Sequence, residues 1–393
     1  MLNFLLDNTS ATLPLKVALI FEDKTYTYAE LCGLTPCLAA SLLQRGINPG
    51  DRIAFLLPNC PQIVLSYYAC FKIGAIAVPL NVRFGPKLLK YVINHSGARV
   101  LISEPELFAQ IDKMRSSLPG IEEYYVTSRP SQFDDVRPFD ELLQATLDSD
   151  RLPRFEENKA AAIYYTSGTT GLPKAVIHSH ASLAQATQIQ IDQIAISSDD
   201  KTLIMFPVCY LIGFGSQILP FHSRGATCVL LPYFEPGLAL EAIQTYQPTK
   251  IYGFPQLYND LVNWPEASKY NLRSLTFFFS AGEAIPVAIQ ERFKRIFGIE
   301  ITEGCRMTEL QIYSMNPPYG KKKIGSIGKP IAGIQVSRID DSDSVIAGAD
   351  EIGEIIVHAG SMTTGYWRDP ELTARNIRQG WLHTGDLAYR GFQ

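Results

Sequence analysis

Between Thr166 and Lys174 the chain reads Thr-Ser-Gly-Thr-Thr-Gly-Leu-Pro-Lys. Hydroxyls at Thr166, Ser167, Thr169 and Thr170 can donate hydrogen bonds to an anion, while Gly168 and Gly171 let backbone N–H groups approach its oxygens. Lys174 adds a point charge. That combination suits a polyphosphate. The spacing is not that of a Walker loop, which needs four residues between its glycines and a Lys directly after the second. Here Gly168 and Gly171 are three apart and Lys174 follows Pro173. A solvated Ser/Thr/Gly turn is the competing reading of this segment by itself.

Several other chemistries are disfavoured. The six histidines form neither HxxxH nor HExxH, and the seven cysteines form no CxxC pair, so a structural zinc site is not expected. No GxSxG elbow occurs, which disfavours an α/β hydrolase. Thirty-five basic against 39 acidic residues give a net charge of −4, and the longest basic run is Lys321–Lys323, so no nucleic-acid partner is expected. Scattered, odd-numbered cysteines in a 393-residue chain read as reduced thiols of a cytoplasmic protein. The start, MLNFLLDNTSATLPLK, lacks the basic flank and cleavage site of a signal peptide. In the most apolar stretch, residues 63–80, Lys72, Gly74 and Pro79 interrupt the run, which reads as a buried helix entering a strand and not as a membrane span.

The elements that must carry these residues alternate. Residues 17–28 read as a hairpin turning at Glu22-Asp23-Lys24, with a helix from Tyr28 towards Gly46. Strands at 51–58, 75–80 and 99–103 are separated by helices at 61–73 and 86–95. The rhythm repeats with strands at 202–206, 227–231, 250–254 and 274–280 and helices near 211–222, 236–246, 256–263 and 286–297. This predicts an α/β fold with mainly parallel sheets covered on both faces. From Ile324 onward short β-rich runs with glycines predict a small β unit. The expected units are 1–185, ending in the phosphate loop, 186–323, and 324–393.

The segment YTSGTTGLPK resembles the signature loop of the adenylate-forming superfamily: acyl- and aryl-CoA ligases, luciferases and adenylation domains of nonribosomal peptide synthetases. The match holds through Lys174, then Ala175 stands where glycine is usual. The likeness continues in order through RIAFLLPN, GAIAVPLN, GFPQLYNDL, FFFSAGEAIP, MTEL, GSIGKPIAG, GEIIVHAGSMTTGYW and WLHTGDLA, over nearly the whole chain. The resemblance implies a layered αβαβα arrangement of two mainly parallel sheets plus a small β-barrel-like unit. It also implies attack of a carboxylate on the α-phosphorus of ATP, giving an acyl-adenylate and pyrophosphate, with Mg²⁺.

By this resemblance Thr166–Lys174 would hold the β- and γ-phosphates, Thr308 would bond the α-phosphate and Glu309 would bind Mg²⁺, so that Lys174, Thr308 and Glu309 form the catalytic set. Asp386 would accept the ribose hydroxyls, and Gly282, Glu283 and Ala284 would line the adenine. Taken alone, a Thr-Glu pair or a Gly-Asp turn reads as a cap or turn; their order and spacing favour the functional reading. Cys305 and Arg306 stand where the family usually has Tyr-Gly, so the aromatic face under adenine is missing. Arg306 is read as a guanidinium stack, a phosphate contact or a salt bridge. The acyl pocket carried over comprises Tyr210, Leu211, Phe214, Phe254, Phe279, Ala281, Gly304 and Ile312, although several of these aromatics also suit a plain core. Tyr210 stands where amino-acid-activating domains place an aspartate, and a buried ammonium without a carboxylate partner is costly. The expected substrate is an aryl, arylalkyl or medium acyl acid without a required α-amine.

The resemblance leaves the acceptor as coenzyme A or a carrier-protein thiol, with carrier loading preferred from SAGEAIP and the position of the chain end. Family members continue for about a hundred residues into a lid that supplies a catalytic lysine. The chain is therefore expected to be the large N-terminal portion, without its C-terminal lid domain, binding ATP and acid but adenylating poorly alone. A nucleotide- or ligand-binding module with little turnover is the alternative.

Overall fold

The computed structural model describes residues 2–128, 133–146, 152–166 and 171–391. Of the expected phosphate loop, Ser167, Gly168, Thr169 and Thr170 lie outside the described residues. Local signals set most element ends. The strands Val17–Phe21 and Lys24–Thr27 pair across Glu22, which takes φ +52°. Thr27 then caps the helix Tyr28–Gln44: its Oγ1 accepts from the Glu30 N–H while the Glu30 carboxylate accepts from the Thr27 N–H. The helices Pro61–Ile73 and Pro86–Ser96 each begin on proline and stop at a left-handed glycine, Gly74 and Gly97.

The strands form three sheets. The first runs from Lys24–Thr27 through Val17–Phe21, Thr227–Leu230, Lys201–Ile204, Lys250–Gly253, Phe277–Ser280, Thr302–Met307 and Gln311–Met315 to Lys329–Pro330. The second runs from Arg137–Pro138 through Glu123–Val126, Val100–Ser103, Arg52–Leu56, Ile76–Pro79, Ala160–Thr166 and Lys174–Ser179 to Gly365–Tyr366. Both are parallel in the middle and antiparallel at one or both edges. Gln335–Ile339, Gly353–His358, Trp381–Ala388 and Ile377–Arg378 make a small antiparallel sheet.

Side-chain alternation assigns each face to a core. Leu19, Ile204, Cys228, Tyr252 and Phe279 of the first sheet share one core with Ile53, Phe55, Val100 and Tyr164 of the second. Helix residues between them, among them Leu31, Tyr67, Phe71, Leu183 and Phe214, fill that middle layer. The opposite face of the first sheet, including Ile20, Val229, Ile251 and Phe278, packs on the helices Pro236–Tyr246, Pro255–Asn263 and Val287–Phe297. That of the second, including Ala54, Val78 and Leu101, packs on Pro86–Ser96 and Pro105–Asp112. The result is five layers, helix–sheet–helix–sheet–helix.

Sheet membership departs from the expected unit boundaries. Residues 17–27 belong with the strands of 201–330, because Val17–Phe21 is parallel to Thr227–Leu230. Residues 365–366 belong with the strand Lys174–Ser179. Parallel pairing needs only a crossover, so chain order does not decide it. The helix expected at 211–222 is present but contains a widened turn over Phe214–Ile218. Among the described residues no helix is long and apolar enough to cross a membrane, and no group of three or more His, Cys, Asp or Glu side chains is placed to hold a metal ion.

Candidate functional site

The strand Ala160–Thr166 leads into the hydroxyl-rich loop and Lys174 opens the antiparallel return strand, with Thr166 and Lys174 paired across the hairpin. Gly171 stands at φ +88°, a left-handed conformation that favours glycine. Lys174 is half-buried, and no carboxylate of a described residue pairs with it. Four residues further along this strand, His178 donates its Nε2–H to the main-chain carbonyl of Thr308 at 2.7 Å. Burial pushes the His178 pKa down to about 4, so the ring is neutral near pH 7.

Thr308 and Glu309 occupy the turn between Thr302–Met307 and Gln311–Met315, which closes with Gln311 at φ +68°. The Glu309 carboxylate is buried, and its Oε1 accepts from the Tyr366 hydroxyl at 2.9 Å. Asn376 donates to that same hydroxyl oxygen at 2.9 Å. The Glu309 carbonyl accepts from the Thr363 N–H at 2.6 Å, and Thr363 Oγ1 donates to the carbonyl of Ile177 at 2.6 Å. The turn of the first sheet is thus stitched to the strand that leaves the loop in the second. Glu309 Oε2 has no protein donor among the described residues, and such an oxygen suits a hard cation.

The other end of the hairpin reaches Asp386. Tyr313, on the return strand, has its hydroxyl 2.8 Å from Cys305 Sγ and 3.4 Å from Asp386 Oδ2. Burial, then the neighbouring Cys305 and Asp386, raise the Tyr313 pKa, so it remains a phenol. Burial also raises the Cys305 pKa. Residues 302–315 therefore link the turn beside the loop to the exposed Asp386, with Cys305 and Thr308 three residues apart, about 10 Å along an extended strand.

Gly282, Glu283 and Ala284 are exposed in the loop after Phe277–Ser280, with Gly282 at φ +98° against the Phe254 ring. They lie past the carboxyl end of a parallel strand, where ligands of open α/β sheets bind. Phe279 and Ile312 border a tight, mostly apolar crevice with Tyr252, Phe277, Met315 and Gln190. Gly304 abuts this crevice: a Cβ there would stand 2.7 Å from the Phe279 ring. Leu211 and Ala281 are buried, and Phe254 packs edge-on to Phe206 at 4.6 Å between ring centroids. Tyr210 is 37% exposed and its hydroxyl accepts from Asn81 at 2.7 Å. Phe214 departs from the expected lining: it is fully buried, stacked on Tyr67 at 3.8 Å and flanked by Tyr68 and Phe71, which makes it part of the middle-layer core.

Arg306 is also not a surface ion pair. Its pKa is lowered to about 10 by burial, and its one hydrogen bond among the described residues is a 3.4 Å contact from Nη2 to Ser216 Oγ. The sequence reading missed His178, Tyr366, Tyr313 and Asn376. His178 carried a usable signal: it alternates with Val176 on a strand face that is buried, and a polar ring there needs a partner.

The profile of the AMP-binding enzyme family matches residues 6–367. A long-chain-fatty-acid–CoA ligase of Bacillus subtilis is 30% identical over 99% of this chain and 74% of its own length. A 3-hydroxybenzoate–CoA/4-hydroxybenzoate–CoA ligase of Thauera aromatica is 29% identical over 95% of the chain and 71% of its own. The crystal structure of the anthranilate CoA ligase AuaEII in complex with anthranoyl-AMP superposes with a TM-score of 0.94 at 26% identity, covering 99% of this chain and 75% of that one.

Proposed function

Because this chain belongs to the AMP-binding enzyme family, we propose that it activates a carboxylic acid with ATP, forming an acyl-adenylate and releasing pyrophosphate, and passes the acyl group to a thiol. The observation that carries this reading is the hairpin 302–315, which joins the loop-side turn at Thr308–Glu309 to Asp386. In this reading the loop from Thr166 to Lys174 holds the β- and γ-phosphates, and Thr308 bonds the α-phosphate. Asp386 accepts the ribose hydroxyls, while Gly282, Glu283 and Ala284 flank the adenine.

Glu309 is the residue that would hold Mg²⁺. Its carboxylate oxygen not engaged by Tyr366 fits a cation whose other ligands would be nucleotide phosphates and water. Bound there, the ion would supply neutralising charge to the phosphates. The chain's own residues fix the geometry: Tyr366 orients the carboxylate, and His178 holds the turn against the strand that returns from the loop.

The acid is an aryl, arylalkyl or medium acyl acid without a required α-amine, since Tyr210 offers no charge for an ammonium and the crevice at Phe279 and Ile312 is mostly apolar. Coenzyme A is the favoured acceptor, reversing the preference read from the sequence, because the relatives are CoA ligases. All seven cysteines are free thiols, which supports a cytoplasmic setting.

A thermal-shift series tests the reading. ATP–Mg²⁺ and a non-hydrolysable aroyl-sulfamoyl adenosine should each raise the melting temperature, the second more strongly, by binding the folded state. Lys174→Ala should reduce the ATP shift. If neither ligand moves the transition, the adenylation reading fails.

A further inference from the structure

The strand pairing places Arg306 directly opposite Ile312 and Gly304 opposite Met315. Directly opposed residues share a sheet face, so Arg306 stands on the face whose neighbours Ile312 and Met315 line the acyl-side gap. The widened helical turn Phe214–Ile218 brings Ser216 to this guanidinium at 3.4 Å. Ser216 Oγ is already committed, donating to Gln311 Oε1 at 2.9 Å. That leaves the Gln311 side-chain N–H₂ buried without an acceptor among the described residues. Burial keeps Tyr252, which also lines the crevice, a neutral phenol, and no carboxylate of a described residue pairs with the guanidinium.

Two donor groups therefore stand together short of acceptors among the described residues: the guanidinium fork, held only by the 3.4 Å contact to Ser216 Oγ, and the Gln311 N–H₂. A half-buried guanidinium is stabilised by an anion that accepts two parallel hydrogen bonds, and a carboxylate has that shape. We propose that Arg306, with Gln311 and Ser216 beside it, binds a second carboxylate on the acid substrate, so that the preferred substrates are dicarboxylic acids with a short aliphatic or aromatic body. This rests on the adenylation reading and names its substrate class. One carboxylate meets the nucleotide, the apolar body lies along Phe279 and Ile312, and the other carboxylate ends at Arg306.

The test pairs acids that differ in one charge. Calorimetry on the 393-residue chain with ATP–Mg²⁺ present compares succinate, glutarate, adipate and benzene-1,4-dicarboxylate with their monomethyl esters, and benzoate with benzene-1,4-dicarboxylate. At least one diacid should bind tenfold or more tightly than its half-ester, and Arg306→Gln should bring the two within about twofold. The wild-type comparison decides the matter even if the variant fails to fold. Equal affinity of every diacid and half-ester, or an Arg306→Gln variant that keeps the preference, would overturn the assignment. Tight binding of benzoate with no gain from the second carboxylate would overturn it while leaving adenylation intact. Failure of ATP–Mg²⁺ itself to bind would remove both.

Discussion

His178 Nε2 lies 2.7 Å from the main-chain oxygen of Thr308, and this single hydrogen bond joins the strand leaving the hydroxyl-rich loop to the turn that bears Glu309. The ring has a second tether, Nδ1 to Ser182 Oγ at 3.2 Å, so its orientation is set from both sides. Replacing it by Phe would keep the volume and leave the half-buried Thr308 carbonyl without this donor, a loss of about 1 kcal/mol. His178→Phe should therefore lower the melting temperature by a few degrees and weaken ATP–Mg²⁺ binding. His178→Asn should recover part of the binding if its amide reaches Thr308. Calorimetric titration of both variants checks this; unchanged nucleotide affinity in His178→Phe would remove His178 from the positioning of the site.

Stability should fall on mild acidification. His178, His180 and His222 are buried, and burial lowers each pKa to about 4. Unfolded, each takes a proton near the ordinary pKa of about 6.5, so between these values the unfolded state binds more protons. The contribution is constant above about pH 6.5 and is lost progressively as pH falls towards 4, by up to about 4 kcal/mol per pH unit for the three together. His180 is the cleanest probe, because neither ring nitrogen has a hydrogen-bond partner among the described residues and the ring packs against Phe155 and Phe71. His180→Phe should flatten the acid limb of a denaturant-midpoint curve by one proton and stabilise the chain more at pH 5 than at pH 7.5. An acid limb identical to the parent's would contradict this.

The alternating elements between residues 51 and 103 are readable because each apolar run is bounded by Gly or Pro, and the helix 61–73 has the expected ends. The strand Gln311–Met315 escaped notice because its hairpin turns through Gln311 at φ +68°, a conformation that glutamine does not advertise. Thr308, Glu309 and Asp386 came from a resemblance in motif order; their physical connection did not. It depends on Tyr313 and Tyr366, residues that no local pattern separates from ordinary core aromatics. Phe214 illustrates the converse, an aromatic that motif position assigns to a pocket and packing assigns to Tyr67.

Gly304 is required by packing. A Cβ at this position would lie 2.6 Å from the Ser314 carbonyl oxygen and 2.7 Å from the Phe279 ring. The first neighbour is backbone in the paired strand and cannot move without disturbing the hairpin that carries Thr308 and Cys305. Gly304→Ala should cost about 1–3 kcal/mol by overpacking and weaken acid binding as the Phe279 ring is displaced into the gap. Thermal unfolding and acid titration read the two effects separately; an unperturbed melting temperature would mean that the strand pair yields freely.

Asp386 near the chain end provides the sharpest test of the nucleotide site. Its carboxylate is exposed, with Tyr313 at 3.4 Å as its neighbour on the hairpin, so its acceptor capacity is largely free. A hydrogen bond to a charged acceptor contributes about 1.5–3 kcal/mol, roughly ten- to a hundredfold in affinity. The wild-type chain should therefore bind ATP at least tenfold more tightly than 2′,3′-dideoxy-ATP, and Asp386→Ala should bind the two alike. Tyr313→Phe removes the weak 3.4 Å contact to Asp386 and the 2.8 Å contact to Cys305 Sγ, and should keep the discrimination. If the wild-type chain does not distinguish the two nucleotides, Asp386 does not hold the sugar, and the hairpin 302–315 then positions the phosphate end alone.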